Sequence, residues 1–131
     1  MARELGGVAE GNVINIVDQR VWNLTPHFVS YTLSKSGLWT MTQTLALALA
    51  PRIRVNAIGP GPTLPSKRQS DANFKEQWKL VPLERPVSVD EIGQGVLYIL
   101  GARSMTGQMI ALDGGQHMSW SSNGRDDGRF E

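Results

Sequence analysis

The sequence predicts an α/β chain of about three parallel strands with flanking helices, on three observations. Short apolar runs stand well apart, at residues 12–17, 53–58 and 108–112. Stretches whose apolar residues recur at helical spacing separate them. The first run, Val13, Ile14, Ile16 and Val17, is nearly continuous rather than alternating, as in a parallel strand buried on both faces.

Each element has a local reason. Residues 1–10 are polar and glycine-rich and read as loosely held. Asn15 interrupts the first strand, either as a polar anchor near a ligand or as a structural amide bonding a neighbouring loop. Residues 18–29 read as a loop carrying Trp22 and Pro26. A helix is expected from Ser30 to Ala50, with Leu38, Met41, Leu45, Ala48 and Leu49 as its buried stripe. Gly37, Ala46, Ala48 and Ala50 are small enough to admit a partner helix, and Pro51 ends the element. The second strand runs into Gly59-Pro60-Gly61-Pro62-Thr63, a stiff turn at the carboxyl end of a strand, where open α/β sheets gather ligands. A short helix over 71–80 places Phe74 and Trp78 on one face, as a cover for a ligand or as an anchor to the core. Ser88 and Glu91 form a capping box before a helix striped by Ile92, Val96, Ile99 and Leu100, with Gly101 at its C′ position. The third strand ends at Asp113-Gly114-Gly115, whose glycines permit positive φ. Residues 119–131 read as a flexible tail.

The residues that carry chemistry are Tyr31 and Lys35, four apart, with Asp18 thirteen residues before the tyrosine. On a helix this spacing puts phenol and ammonium on one face. A nearby cation favours phenolate and draws the hydroxyl down from its ordinary pKa of about 10, toward a proton donor useful near neutrality. By itself the pair is also what any amphipathic helix shows, a tyrosine beside a solvated lysine.

The order Gly11–Asp18, Tyr31-x-x-x-Lys35, Ile53–Gly61 and Thr106–Gly115 resembles the C-terminal half of a short-chain dehydrogenase/reductase. The resemblance runs from about Gly11 to Gln116. It implies half of a Rossmann-type doubly wound parallel sheet and an NADPH- or NADH-dependent oxidoreductase, NADPH being favoured. The implied catalytic residues are Asp18, Tyr31 and Lys35; the implied cofactor-binding residues are Ile16, Val17, Tyr31, Lys35, Pro60, Gly61 and Thr63. Most of that family has a serine where Asp18 stands. An aspartate there is similar to the pteridine reductase branch, which reduces dihydropterins. A different carbonyl substrate, or a chain that has lost activity, stays open beside that reading. The resemblance also implies a homo-oligomer formed through the long helix.

No Gly-x-Gly-x-x-Gly or Gly-x-x-x-Gly-x-Gly occurs in the 131 residues, so the phosphate-binding turn of that family is missing. The chain therefore reads as one incomplete dinucleotide-binding domain over 1–131, with its first strand left as an open edge. It is expected to associate with itself or with a missing N-terminal half, and to be inactive alone. The rival is a non-catalytic remnant that keeps only the association helix.

Composition bounds the rest. A net charge of +1 offers nothing for nucleic acid or a membrane surface. No cysteine is present, so disulfides and thiolate metal sites are excluded. His27 and His117 are too isolated to suggest a metal. A small-molecule substrate and a cytoplasmic location are the expectation.

Overall fold

The computed structural model describes residues 11–64 and 69–119. Expectations for residues 1–10 and for 120–131 lie outside the described residues. Three strands form one parallel sheet in the order β1 (Gly11–Ile16), β2 (Ile53–Pro60) and β3 (Met109–Leu112). The helices are α1 (Val29–Leu49), α2 (Asp71–Lys79) and α3 (Val89–Gly101), and 3-10 turns occupy Gln19–Trp22 and Gln116–Met118. Val13 pairs with Val55, and Ala57 with Met109. The core is Val17, Ala57 and Met109, with Val21, Leu38 and Trp39 packed against it.

β2 is the central strand, buried from Arg54 to Gly59. Its two polar side chains are buried because each finds partners. The Arg54 guanidinium donates to the carbonyls of Ile99 and Leu100 at the end of α3 and of Met105 beyond it, at 3.0–3.1 Å. A cation there also suits the negative end of the helix dipole. Asn56 donates to Met105 O at 2.9 Å and accepts from Gln108 N at 3.0 Å. These bonds hold the 102–108 loop, so β3 begins one residue later than expected.

Among the described residues β1 forms a sheet edge, with Val13 and Ile16 exposed. Asn15 is a structural amide, and its partner is a helix rather than the expected loop. It donates to Thr42 Oγ1 at 3.0 Å, while Thr42 donates to Leu38 O, tying the strand to α1. That anchor corrects the expected stripe of α1. Thr42 and Ala46 are its buried residues, Leu38, Leu45 and Leu49 lie beside them, and Met41 and Ala48 face outward. The strand-to-helix hydrogen bond sets the rotation of the helix, and apolar side chains occur nearly all round it.

Ser70 and Ser88 cap α2 and α3 as their sequences require, accepting from Asn73 N and Glu91 N at 3.0 Å. Gly101 is the last residue of α3 rather than its C′ glycine. Arg54 takes the terminal carbonyls, so no left-handed glycine is needed there. Gly114 and Gly115 do turn the chain with φ of 64° and 90°. No helix among the described residues is long and apolar enough to cross a membrane.

Candidate active site

Asp18 follows β1 and caps the 3-10 turn, its Oδ1 accepting from Arg20 N at 2.8 Å. The capped turn points Oδ2 at the start of α1, where the Tyr31 hydroxyl donates to it at 2.7 Å. One helical turn later Lys35 donates to the Ile16 carbonyl at 3.1 Å, with Nζ 5.8 Å from the Tyr31 ring centroid. The three groups singled out by spacing thus meet at the carboxyl end of β1.

The entry to α1 is set by Phe28, which takes the left-handed conformation (φ 56°, ψ 52°) with no side-chain cap. For a bulky residue that backbone is strained. The Arg20 guanidinium lies 5.6 Å over the Phe28 ring and ties it to the turn that carries Asp18.

A cleft of about 280 Å³ opens here. Ile16, Val17, Asp18, Tyr31 and Lys35 line one side, and Pro60, Gly61, Pro62 and Thr63 the other. Every residue expected to bind cofactor or to act on substrate therefore borders one cavity. Gly61 has to be glycine for packing: a Cβ would stand 2.7 Å from Asp113 Cα. The Thr63 hydroxyl donates to Gly61 O at 2.9 Å and stiffens the turn.

The electrostatics differ from the sequence expectation. Burial, then the charge and the hydrogen bond of Asp18, push the Tyr31 hydroxyl well above its ordinary pKa, with Arg20 opposing only in part. Lys35 does not lower it, because its ammonium is directed to the Ile16 carbonyl and lies over the ring face. The phenol is therefore a neutral hydrogen-bond donor at neutral pH and, with its pKa raised, a weaker acid than the sequence expectation called for.

Other expectations resolve less uniformly. Trp22 packs edge-on against Trp39 and His117, with centroids 6.1 and 5.5 Å away, and does not line the cleft. Phe74 and Trp78 are absent from the lining too; Gln77 of the same helix contributes instead. His117 is not isolated, since its Nδ1 lies 2.7 Å from Oδ2 of buried Asp113. No cluster of three or more His, Cys, Asp or Glu residues could hold a metal among the described residues. Sequence reading missed Gln19, Gln69, Gln77 and Gln116, all on the cleft wall. Only the glycine turn before Gln116 hinted that the chain doubles back there.

The cleft fits the nicotinamide–ribose end of a dinucleotide. A flat ring suits the walls of Pro60 and Gly61, and an ammonium has three donors, of which the Ile16 carbonyl takes one.

Comparison with known proteins places the chain among reductases and dehydrogenases in sequence and fold. The chain is 62% identical to the FolM alternative dihydrofolate reductase 1 of Brucella canis, solved complexed with NADP, with a TM-score of 0.82 over 84% of this chain and 44% of that one. Dihydromonapterin reductase of Enterobacter sp. (strain 638) is 32% identical over 119 residues, which is 86% of this chain and 47% of the relative. Glucose 1-dehydrogenase of Gluconobacter oxydans is 34% identical over 110 residues, 74% and 41% respectively. The chain spans less than half the length of these curated relatives. Residues 2–117 match a family model described as enoyl-(acyl carrier protein) reductase, and the chain belongs to the short-chain dehydrogenase/reductase family.

Proposed function

We propose that the chain supplies the catalytic half of an NAD(P)H-dependent reductase, with NADPH as the preferred cofactor and a dihydropterin-like heterocycle as substrate. The observation that carries this reading is the 2.7 Å hydrogen bond from Tyr31 to Asp18 inside a cleft that also holds Lys35 and the Pro60-Gly61 turn. Likeness to a FolM protein complexed with NADP and to dihydromonapterin reductases supports the cofactor and substrate class.

When bound, the nicotinamide supplies hydride. Tyr31, whose hydroxyl is protonated at neutral pH, gives the matching proton. Asp18 orients the phenol and takes up the incoming proton that restores it. Lys35 would hold the cofactor ribose, and Ile16, Val17, Pro60, Gly61 and Thr63 would frame the nicotinamide ring. The outward face of α1, including Gly37, Met41 and Ala48, supports a homo-oligomer, and the open edge of β1 supports pairing with a preceding strand. A cytoplasmic site of action accords with a cysteine-free reductase half.

The test is NADPH and NADH titration of the 131-residue chain and of a chimera joining it to the N-terminal half of the Brucella canis protein. The chimera should oxidise NADPH when given 7,8-dihydrobiopterin, and the chain alone should not. A chimera that folds, binds NADPH and reduces no dihydropterin overturns the substrate class; one that binds neither nucleotide overturns the reductase reading.

A further inference from the structure

Among the polar groups of the cleft wall that the proposed reaction does not use, Gln19 stands out. Gln19, the first residue of the 3-10 turn, is 7% exposed and lines the cleft, and its side-chain Oε1 has no hydrogen-bond partner among the described residues. Buried acceptors are nearly always satisfied, so an orphan on a cleft wall points to a partner that arrives with the ligand.

The backbone beneath it is well held. A Cβ at Gly59 would lie 3.3 Å from Gln19 N, so the turn rests directly on β2. Asp18 on one side is anchored to Arg20 N and to Tyr31. The amide is shielded from solvent, but the last torsion of a glutamine is a broad, low-barrier rotor, so the carbonyl can turn into the cleft without moving the chain.

Its chemistry selects the ligand. An amide oxygen beside a carboxylate disfavours phosphate or carboxylate groups and accepts N–H donors. Gln77 and Gln116 add further neutral amides to the same wall. We propose that Gln19 is a specificity-determining residue, whose side-chain carbonyl accepts an N–H from the lactam or amino-pyrimidine edge of the substrate. The inference rests on the reductase reading and deepens it. It separates substrates by the hydrogen-bonding edge they present rather than by the bond reduced. A site built to accept such a bond rejects an analogue lacking the donor, because the acceptor is then left unpaired.

The test is calorimetric binding to the full 131-residue chain of two probes: 7,8-dihydrobiopterin, which carries the donor edge, and 1,4-naphthoquinone, a two-ring carbonyl compound without N–H. Gln19→Met should weaken dihydrobiopterin binding about tenfold, leave naphthoquinone binding unchanged, and keep or raise the urea midpoint because a buried orphan has been removed. Gln19→Glu, which retains acceptor oxygens, should bind dihydrobiopterin more tightly than Gln19→Met does. Equal losses for both probes, a lowered urea midpoint with unchanged selectivity, or no dihydrobiopterin binding by the wild-type chain would overturn the inference. None of these outcomes bears on Tyr31, whose role is judged by hydride transfer in the chimera, so the two claims fail separately.

Discussion

Two polar constellations lie within one sheet and behave in opposite ways. The Arg54–Asn56 network on β2 is buried, and its side chains meet backbone groups of α3 and of the 102–108 loop. The Asp18–Tyr31–Lys35 group at the end of β1 is half open, and its side chains meet one another, the Arg20 N–H and a single strand carbonyl. The first network has its donors and acceptors matched within the protein and so specifies architecture. The second keeps a proton on a phenol and leaves ammonium donors unused among the described residues, which is how a site retains capacity for a ligand.

Substitutions can break this contrast. Tyr31→Phe should show the largest effect. It removes the proton donor but not the fold, so turnover in the chimera should fall by about 10²–10⁴-fold while the urea midpoint changes little. A turnover within threefold of wild type would remove Tyr31 from the chemistry.

Asn56→Ala should do the reverse. It deletes two part-buried hydrogen bonds, one to the Met105 carbonyl, which keeps its bond from Arg54, and one from the Gln108 N–H, and the chain should lose roughly 2 kcal/mol in urea unfolding. A loss under about 1 kcal/mol would show that the loop finds other partners.

Thr42→Val tests the bond that sets the rotation of α1. It keeps the shape and deletes the acceptor of the Asn15 amide, at a cost of about 1 kcal/mol. A neutral outcome would mean that packing alone orients the helix.

The smallest effect concerns pH. The folded Tyr31 pKa lies above its unfolded value of 10.0, so the folded chain holds that proton more tightly. Its contribution to stability is complete below pH 10 and declines as pH rises beyond it. Tyr31→Phe should therefore flatten the alkaline side of the stability curve. Parallel curves for the two proteins above pH 10 would contradict the assigned titration.

The contrast also separates what could be read from residues and what could not. The spacing of Tyr31, Lys35 and Asp18 and the glycine–proline turn at 59–63 lead to one cleft, because helical period and strand ends are local geometry. Met41 reads as core in the sequence yet faces outward, since a helix apolar nearly all round carries no local mark of which face turns inward. The direction of the Tyr31 pKa shift escapes the sequence for a related reason. Sequence distance places the ammonium near the ring, but which charge reaches the oxygen depends on where β1 ends.

The sequence by itself determined the strand–helix order, the capped start of α3, the turn at Gly114-Gly115 and which side chains border the cleft at the end of β1. These depend on interactions within a few residues, which a linear pattern records. Tertiary structure alone decided that burial and then Asp18 act on the phenol, that Arg54 closes α3, and that an unpartnered Gln19 Oε1 stands in the cleft wall. Each of those joins or separates groups through space. Burial and the distance between partners govern them, and neither exists until the sheet has assembled.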